Sequence, residues 1–273
     1  MVDASVMGDV ALRIEGLVLH ARGSDGRWRP IVHGIDLDVG RREIVGLVGE
    51  SGSGKSQTAL AIARINPAGV RRAAGRIMCR GVDVSALNER QMQGIRGREV
   101  AYIFQEPMTA LNPTMRLGVM IDDVLRVCRP DLGSGRADEA KSILRSLGLD
   151  DPEWVLNAYP HQLSGGMRQR VLIALAYACN PALIVADEPT TALDVTLQAQ
   201  ALDLIVSLSQ KHDSAMLFIS HDLAVVKRVC SRVYVMCEGR IVESGPTEAV
   251  ISAPKDAYTQ RLVASARAKE AFA

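Results

Sequence analysis

The chain has 273 residues and carries 32 basic against 31 acidic side chains, a formal net charge of +1. A chain of this length can bury the core of one large domain or of two small ones, and its near-neutral balance gives no general electrostatic attraction for nucleic acid. Hydrophobic residues make up 48% of it, but no apolar run approaches the roughly 18 residues that cross a bilayer.

The first elements predicted along the chain are strands. LRIEGLVLH and IDLDV alternate apolar and polar residues, as half-buried strands do. IVGLVG is a nearly continuous apolar run and fits a strand that is covered on both faces. It leads into a glycine-rich stretch, and QTALAIARI after the glycines is typical of a helix. The predicted order is therefore strand, glycine-rich turn, helix.

Further strands alternate with helices in the rest of the chain. GRIMCRGVDVS, EVAYIF, ALIVAD and AMLFIS repeat the strand pattern, with helical stretches between several of them. VYVMCEGRIVESG predicts a hairpin that turns at Glu238 and Gly239. This alternation predicts an α/β fold with a largely parallel sheet and an antiparallel portion early in the chain.

The segment from Met108 to Gln162 differs because it shows no clear strand pattern. Within it, ADEAKSILRSLGL places apolar residues on one helix face, and Gly148 is suited to a helix C-terminus. We expect a sheet-based core at residues 10–252, interrupted by a helical subdomain at about 108–162, and a short C-terminal tail at 253–273.

The glycine-rich stretch satisfies the pattern G-x-x-x-x-G-K-[ST] between a predicted strand and a predicted helix. In such a loop the backbone N–H groups point inward at phosphate oxygens, and the N-terminus of the helix adds positive potential. Lys55 can reach the β and γ phosphates, and the Ser56 hydroxyl can coordinate Mg²⁺. A plain strand–helix turn is the alternative. The predicted nucleotide contacts are Gly49, Glu50, Ser51, Gly52, Ser53, Gly54, Lys55, Ser56 and Gln57.

A pair of carboxylates follows another apolar strand, in ALIVADEPT. A carboxylate at the C-terminal end of a parallel strand can lie beside a phosphate loop, so Asp187 is predicted to hold Mg²⁺ directly or through water. Glu188 would act as the base or would orient the attacking water. A strand that merely runs into a solvated turn is the alternative, and the glycine-rich loop in the same chain favours the chemical interpretation.

Four further motifs complete an ordered set: Gln105 in IFQEP, LSGGMRQR from Leu163 to Arg170, TALD from Thr191 to Asp194, and His221 in LFISHD. Together with the glycine-rich loop and ALIVADEPT, they resemble the ATP-binding subunits of ABC transporters over nearly the whole chain. The resemblance implies a P-loop NTPase core of the ABC ATPase type that binds ATP and Mg²⁺ and hydrolyses ATP.

The resemblance also implies a role for each motif residue. Ser56, Gln105 and Asp187 would surround Mg²⁺, and Gln105 would sense the γ-phosphate. Glu188 would be the catalytic carboxylate, and His221 would contact the γ-phosphate and steady the attacking water. The residues expected to carry the catalysis are Glu188, His221 and Lys55.

A dimer follows from the same resemblance. In the family, two ATP-binding domains pack head to tail, and the signature of each closes on the nucleotide of its partner. The resemblance therefore assigns Ser164, Gly165, Gly166 and Gln169 to a partner's ATP, and Asp194 to the interface between the chains. One chain would then contribute two half-sites.

Four longer stretches are similar to the peptide/nickel branch of bacterial importers: GESGSGKSQTA, IFQEPMTALNP, YPHQLSGGMRQR and ALDVTLQAQ. That branch has two different ATPase subunits, and SGGMRQR is more like the first of them. This implies a heterodimer with a second, related ATPase, peripheral on the cytoplasmic face of the inner membrane. The pair would dock on two membrane permease subunits, which an extracytoplasmic solute-binding protein supplies. No nucleic-acid partner is expected.

The five cysteines are scattered and lack C-x-x-C spacing, which predicts reduced, mostly buried thiols in a cytosolic protein. APKDAYTQRLVAS resembles the start of the C-terminal extension of the importer branch, which in some members continues to an iron–sulfur region. No cysteine follows Cys237, so no such cluster is expected. Import of peptides and import of nickel or metal chelates both stay open.

Two other classes of function also stay open. A soluble ABC-type ATPase that acts on nucleic acid or ribosomes usually has a long coiled-coil insertion or tandem cassettes, and neither pattern is present. A regulatory half of an asymmetric heterodimer would bind ATP without hydrolysing it, and the presence of Glu188 and His221 argues against that role.

The adenine contact departs from the family, which usually has an aromatic residue at the end of the first strand. This chain offers His20 and Ala21 there, and Trp28 a few residues later. Because a tryptophan at a hairpin tip can equally pack on its own loop, the sequence leaves the contact undecided.

Overall fold

The computed structural model describes residues 10–191 and 194–271. Their contacts group them into two units. The first unit comprises the residues up to 93 together with those from 215 onward, and the second comprises residues 94–214.

The helices and strands have the following bounds. The strands are β1 (Val10–Arg22), β2 (Trp28–Gly40), β3 (Ile44–Val48), β4 (Val70–Cys79), β5 (Val82–Asp83), β6 (Val100–Ile103), β7 (Leu183–Asp187), β8 (Ala215–Ser220), β9 (Arg232–Cys237) and β10 (Arg240–Pro246). The helices are α1 (Lys55–Ala63), α2 (Glu89–Ile95), α3 (Pro107–Ala110), α4 (Leu117–Cys128), α5 (Arg136–Ser146), α6 (Pro152–Asn157), α7 (Gly165–Tyr177), α8 (Val195–Lys211), α9 (Leu223–Val229), α10 (Thr247–Ser252) and α11 (Ala257–Ala271).

An antiparallel sheet forms one layer of the first unit. Its strand order is β2-β1-β4-β5, and β1 pairs antiparallel with both of its neighbours. Ile14 of β1 lies opposite Leu37 and Ile77, and all three side chains are almost fully buried. The pattern of LRIEGLVLH therefore predicted this strand correctly, because every second residue is buried on each side of a register shift between Ile14 and Leu17.

A second set of strands in the first unit has the order β10-β9-β3-β8. β3 is parallel to β8 and to β9, while β10 returns antiparallel to β9. β8 is buried along its whole length, as its continuous apolar run predicts for a strand covered on both faces. The β9–β10 hairpin turns at Glu238 and Gly239, whose φ angles of 46° and 74° suit a tight two-residue turn. This prediction is confirmed.

The second unit combines two strands with a run of helices. β6 and β7 are parallel, with Tyr102 opposite Val185. Between them, the described residues form helices α3 to α7 and no strand, as predicted for this part of the chain. α5 ends before Gly148, which has a φ of 67°. α4 packs on α5 and α6 through buried Leu and Ile side chains such as Leu125 and Leu144.

Two cysteines of the second unit are paired. The structure joins Cys128, the last residue of α4, to Cys179, which follows α7, as a disulfide with Cα atoms 5.3 Å apart. The expectation of reduced thiols is therefore wrong for this pair. The two residues are separated by 51 positions, and only the packing of α4 near the end of α7 brings them together. Cys79, Cys230 and Cys237 take part in no disulfide among the described residues.

The C-terminal residues belong to the first unit rather than standing apart from it. Tyr258 and Val263 of α11 are 8% and 3% exposed, so the helix is packed against the unit along one side. No helix in the described part of the chain has both the length and the apolar content that a bilayer crossing requires.

Candidate functional site

The loop between β3 and α1 is shaped by its glycines. Gly49, Gly52 and Gly54 have φ angles of 155°, 82° and 106°, which favour glycine. A Cβ atom at Gly49 would lie 2.1 Å from the carbonyl oxygen of Met236, so a larger residue cannot occupy this position without moving the backbone. The chain therefore turns sharply from strand to helix, as the glycine pattern predicts.

Lys55 lies at the centre of this loop. Its side chain is only 4% exposed. Nζ donates hydrogen bonds of 2.8 Å to the carbonyl oxygens of Gly49 and Glu50, and the hydroxyl of Ser53 lies 3.4 Å away. A buried ammonium held by backbone carbonyls is a concentrated positive charge at the N-terminus of α1, where the N-cap residue Gly54 has no side chain to cap the helix. The loop can therefore receive an anion such as a phosphate.

The other predicted residues of the first unit differ in exposure. Ser51 and Gly52 are exposed, whereas Ser56 and Gln57 are half-buried. The amide of Asn66 donates to the backbone and side-chain oxygens of Gln57, at 3.0 and 3.3 Å, so this side chain already has a partner. His221 follows β8 directly and is exposed.

Asp187 ends β7 in the second unit. Its side chain is only 6% exposed, and Oδ2 accepts a 2.8 Å hydrogen bond from the hydroxyl of Tyr102 in β6. Burial and the neighbouring Asp187 carboxylate raise the pKa of Tyr102, so its hydroxyl stays protonated as a donor. Sequence reasoning did not identify Tyr102. The only available signal was a tyrosine within the apolar strand that precedes IFQEP.

Glu188 and Gln105 come together in the same unit. Oε2 of Glu188 accepts hydrogen bonds from Nε2 of Gln105 at 3.3 Å and from the hydroxyl of Thr191 at 3.0 Å. The φ of Glu188 is 46°, a conformation that non-glycine residues rarely adopt. The carboxylate is thus oriented by two neighbours, of which Thr191 was not predicted to take part.

The segment LSGGMRQR begins α7, as predicted for a helix start. Ser164 is exposed, and its hydroxyl accepts a 3.3 Å bond from the N–H of Met167 as the N-cap. At Gly165 an added Cβ would meet no atom of the described residues within 4 Å, so it would point into open space beside them. Gly166 is buried, and a Cβ there would lie 3.3 Å from the side chain of Leu197. Ser164 and Gly165 form the outward edge of the helix start.

Gln169 does not share this outward edge. Its side chain is 1% exposed, and Nε2 has no hydrogen-bond partner in the described residues. The prediction that Gln169 faces a partner's nucleotide is not supported, because the residue lies one turn into α7 on the buried side of the helix.

Asp194 has a local structural role. It is exposed, and its carboxylate accepts a 3.0 Å bond from the N–H of Leu197 as the N-cap of α8. The middle residues of the TALD motif, Ala192 and Leu193, lie outside the described residues.

The two aromatic candidates for an adenine contact lie on neighbouring strands. The guanidinium of Arg71 sits 4.2 Å from the ring centroid of Trp28, so one ring face is already covered. His20 is half-buried in β1, opposite Pro30 and Arg71, and its Nδ1 has no hydrogen-bond partner in the described residues. The packing of Trp28 on its own sheet therefore favours the structural interpretation of that residue.

Comparisons with known proteins point to one family. Residues 32–191 match the family model described as ABC transporter. A probable D,D-dipeptide transport ATP-binding protein of Escherichia coli (strain K12) is 48% identical over 256 residues, which cover 93% of this chain and 77% of the relative. The oligopeptide transport ATP-binding protein OppD of Bacillus subtilis (strain 168) is 45% identical over 256 residues, which cover 93% of this chain and 71% of OppD.

Solved structures show the same fold. A dimeric bacterial ABC transporter cassette matches with a TM-score of 0.75 at 24% identity, covering 86% of this chain and 98% of the other. A Clostridium perfringens component of a cbiONQ transporter complex also gives a TM-score of 0.75 at 23% identity, and the match covers 90% of this chain and 92% of the other. At these identities the likeness concerns the fold alone.

Proposed function

The chain belongs to the ABC transporter family as an ATP-binding subunit that hydrolyses ATP, and we propose that it powers the import of peptides through partner membrane subunits. The observation that carries the proposal is the loop from Gly49 to Ser56 around the buried ammonium of Lys55. The names of its relatives, which are dipeptide and oligopeptide transport ATP-binding proteins, support peptides as the cargo.

The loop would bind the phosphates of ATP. Backbone N–H groups and Lys55 supply hydrogen bonds and positive charge, and Lys55 would exchange the carbonyl oxygens of Gly49 and Glu50 for phosphate oxygens. Ser56, Gln105 and Asp187 offer a hydroxyl, an amide and a carboxylate oxygen, a donor set that fits Mg²⁺. When bound, Mg²⁺ neutralises charge that develops on the phosphates.

Hydrolysis would then depend on positioning a water. Glu188 would accept a hydrogen bond or a proton from it, and the bonds from Gln105 and Thr191 hold the carboxylate in one orientation. His221 would contact the γ-phosphate. Most of the rate acceleration comes from charge stabilisation and alignment in such a site.

A second ATPase chain would complete the catalytic unit. We propose that Ser164 and Gly165 face the nucleotide of this partner, because Ser164 is exposed and a Cβ added at the half-buried Gly165 would point into open space beside the described residues. A helix N-terminus of this kind supplies N–H groups and positive potential to a phosphate. The exposed Asp194 would lie near the same interface. We propose that the partner is a related but different chain, which makes the unit a heterodimer.

The pair would work at the cytoplasmic face of the inner membrane, docked on two permease subunits that receive peptides from a solute-binding protein. ATP binding would close the two ATPase chains, and hydrolysis would release them. Gln105, which contacts Glu188 and precedes the helices of the second unit, would convey this change toward the permeases.

Affinity purification of the tagged chain from its own cells tests the proposal. We expect mass spectrometry to identify two membrane proteins and a second ATPase, and the ATPase rate of the assembly to exceed that of the isolated chain. Vesicles containing the assembly and its binding protein should take up a dipeptide, with Ni²⁺ as the comparison cargo. Co-purification with ribosomes or DNA in place of membrane proteins would contradict the proposal. ATP binding by the assembly without hydrolysis would instead indicate a regulatory half.

A further inference from the structure

The C-terminal helix contacts the phosphate loop through one hydrogen bond. The hydroxyl of Tyr258 in α11 accepts a 2.8 Å bond from the backbone N–H of Glu50. The two residues are separated by 208 positions and both belong to the first unit. Tyr258 is 8% exposed whereas Glu50 is exposed, so this hydrogen bond is partly buried.

The peptide plane between Gly49 and Glu50 is held on both sides. Its carbonyl oxygen, on Gly49, accepts from Nζ of Lys55 at 2.8 Å, while its N–H, on Glu50, donates to Tyr258. A peptide unit is planar and rotates as a rigid body, so a bond that fixes its N–H also fixes its carbonyl. The Tyr258 hydroxyl therefore determines the direction in which the Gly49 carbonyl faces Lys55.

The beginning of α11 is itself firmly anchored. The carboxylate of Glu243 in β10 accepts the N–H groups of Lys255 and Asp256, at 2.9 and 3.0 Å. The carboxylate of Asp256 accepts the N–H of Tyr258 at 2.8 Å. Further along, the guanidinium of Arg267 donates to the carbonyl of Ile251 at 3.0 Å. Tyr258 thus projects from a fixed helix start and not from a loose tail.

We propose that Tyr258 is a positioning residue for ATP binding, which uses the C-terminal helix to hold the Gly49–Glu50 peptide in the orientation that the phosphate loop requires. The inference rests on the proposed role of this loop in binding ATP. Tyr258 does not touch the nucleotide in this proposal. It acts through the loop backbone, whose Gly49 carbonyl holds Lys55 until the ammonium turns to the phosphates.

Tyr258→Phe is the direct test, because it removes the hydroxyl and keeps the ring. The 273-residue chain is titrated with ATP in the presence of EDTA to measure affinity without hydrolysis, and the assembled transporter supplies KM and kcat. We expect the Kd and KM for ATP to rise about three- to tenfold, the range for the loss of one intramolecular hydrogen bond, with kcat changed less than about twofold. Amide exchange of Glu50, followed by NMR, should accelerate.

Tyr234→Phe provides a matched control in the same unit. The hydroxyl of Tyr234 also makes partly buried hydrogen bonds, but its partners are Asp38 and Arg232, which lie outside the loop. This control should lower thermal stability and leave ATP affinity and the exchange of the Glu50 amide unchanged.

Two results would overturn the inference. One is a Tyr258→Phe chain with the ATP affinity and Glu50 exchange of the unaltered protein. The other is equal loss of affinity in both variants, which would indicate general destabilisation. Lys55→Ala separates this failure from failure of the proposed function, because ATP binding that survives Lys55→Ala would contradict the role of the loop itself.

Discussion

Glu188 combines a rare backbone conformation with a carboxylate that two neighbours orient. Its φ of 46° is unusual for a residue with a side chain, and such positions are concentrated at functional sites. Gln105 and Thr191 hold the carboxylate through hydrogen bonds to the same oxygen, Oε2. A carboxylate held in one orientation in this way is suited to accept a hydrogen bond from a positioned water.

Glu188→Gln should preserve ATP binding and lower the hydrolysis rate about 100- to 10,000-fold, because the amide keeps the size of the side chain but cannot accept a proton. The measurement is phosphate release by the assembled transporter, together with ATP affinity. Glu153→Gln is the control, since Glu153 is an exposed carboxylate of α6 that pairs with Lys141. Near-normal hydrolysis in Glu188→Gln would remove Glu188 from the mechanism.

Lys55→Ala should weaken ATP binding roughly 10- to 100-fold, the range for losing hydrogen bonds from a charged group in a buried position. Equilibrium binding of ATP to the isolated chain measures this directly. Lys227→Ala in α9 removes an exposed lysine of the same unit, which pairs with Glu248 at 3.5 Å, and should bind ATP normally. Equal affinities for the two variants would contradict the phosphate-binding role of the loop.

At the scale of elements, one arginine of β9 holds two carboxylates of the first unit. Arg232 donates to Asp38 at 2.7 Å and to Glu43 at 3.0 Å, and Asp38 also accepts from Tyr234 at 2.9 Å. The hydrogen bond from Arg232 is the largest influence that lowers the pKa of Asp38. For Glu43, burial acts in the opposite direction, but bonds from Arg232 and Gly40 still leave its pKa lowered. The cluster joins the end of β2 to β9, the first strand of the β9–β10 hairpin.

This cluster predicts a pH dependence of stability. The pKa values of Asp38 and Glu43 are lower in the folded chain than their ordinary values of 3.8 and 4.5. The two carboxylates therefore stabilise the fold fully at a pH above these ordinary values, and this stabilisation is lost as the pH falls through the lowered pKa values. Arg232→Met should therefore reduce the urea midpoint at pH 7, and the difference from the unaltered chain should shrink below about pH 4. Arg240→Met, at an exposed arginine of β10, is the control. If the urea midpoints of Arg232→Met and the unaltered chain differed by the same amount down to pH 3, this would contradict the stabilising role assigned to the cluster.

At the scale of the whole molecule, the proposed mechanism requires a second chain at the start of α7. Gly165→Glu tests this, because a Cβ at Gly165 meets no atom within 4 Å in the part of the chain that the structure describes, and an acidic residue is compatible with a helix N-terminus. We expect the isolated chain to fold and to bind ATP normally. The assembled transporter should lose most of its ATPase activity, because the added carboxylate would repel the partner's phosphates.

Gly135→Glu is the matched control for this prediction. Gly135 precedes α5 in the same unit, and among the residues described a Cβ there also meets no atom within 4 Å. Its assembled transporter should hydrolyse ATP at the normal rate. Full activity of the Gly165→Glu assembly would show that this edge does not face a partner's nucleotide.

The local features of the chain were predictable from short stretches of sequence. Alternating and continuous apolar runs predicted β1, β3 and β8, and the glycines predicted the turn before α1. The β9–β10 hairpin and the end of α5 followed from Glu238-Gly239 and Gly148. These features depend on backbone preferences and on periodicity, which neighbouring residues determine. The identity of the motif residues also came from the sequence, because each motif is contiguous.

The contacts that orient those residues were not predictable in the same way. Tyr102 reaches Asp187 across 85 positions, and Tyr258 reaches Glu50 across 208. The pairing of Cys128 with Cys179 and the burial of Gln169 depend likewise on how helices pack in the second unit.

The sequence by itself determined the order of strands and helices, the phosphate loop and the chemical groups available to it. Only the tertiary structure decided which neighbours hold Lys55, Asp187 and Glu188 in place, and which signature residues face outward. The physical reason is that periodicity and turn preferences act over a few residues, whereas a hydrogen bond between distant positions exists only once the packed core has brought its two partners together.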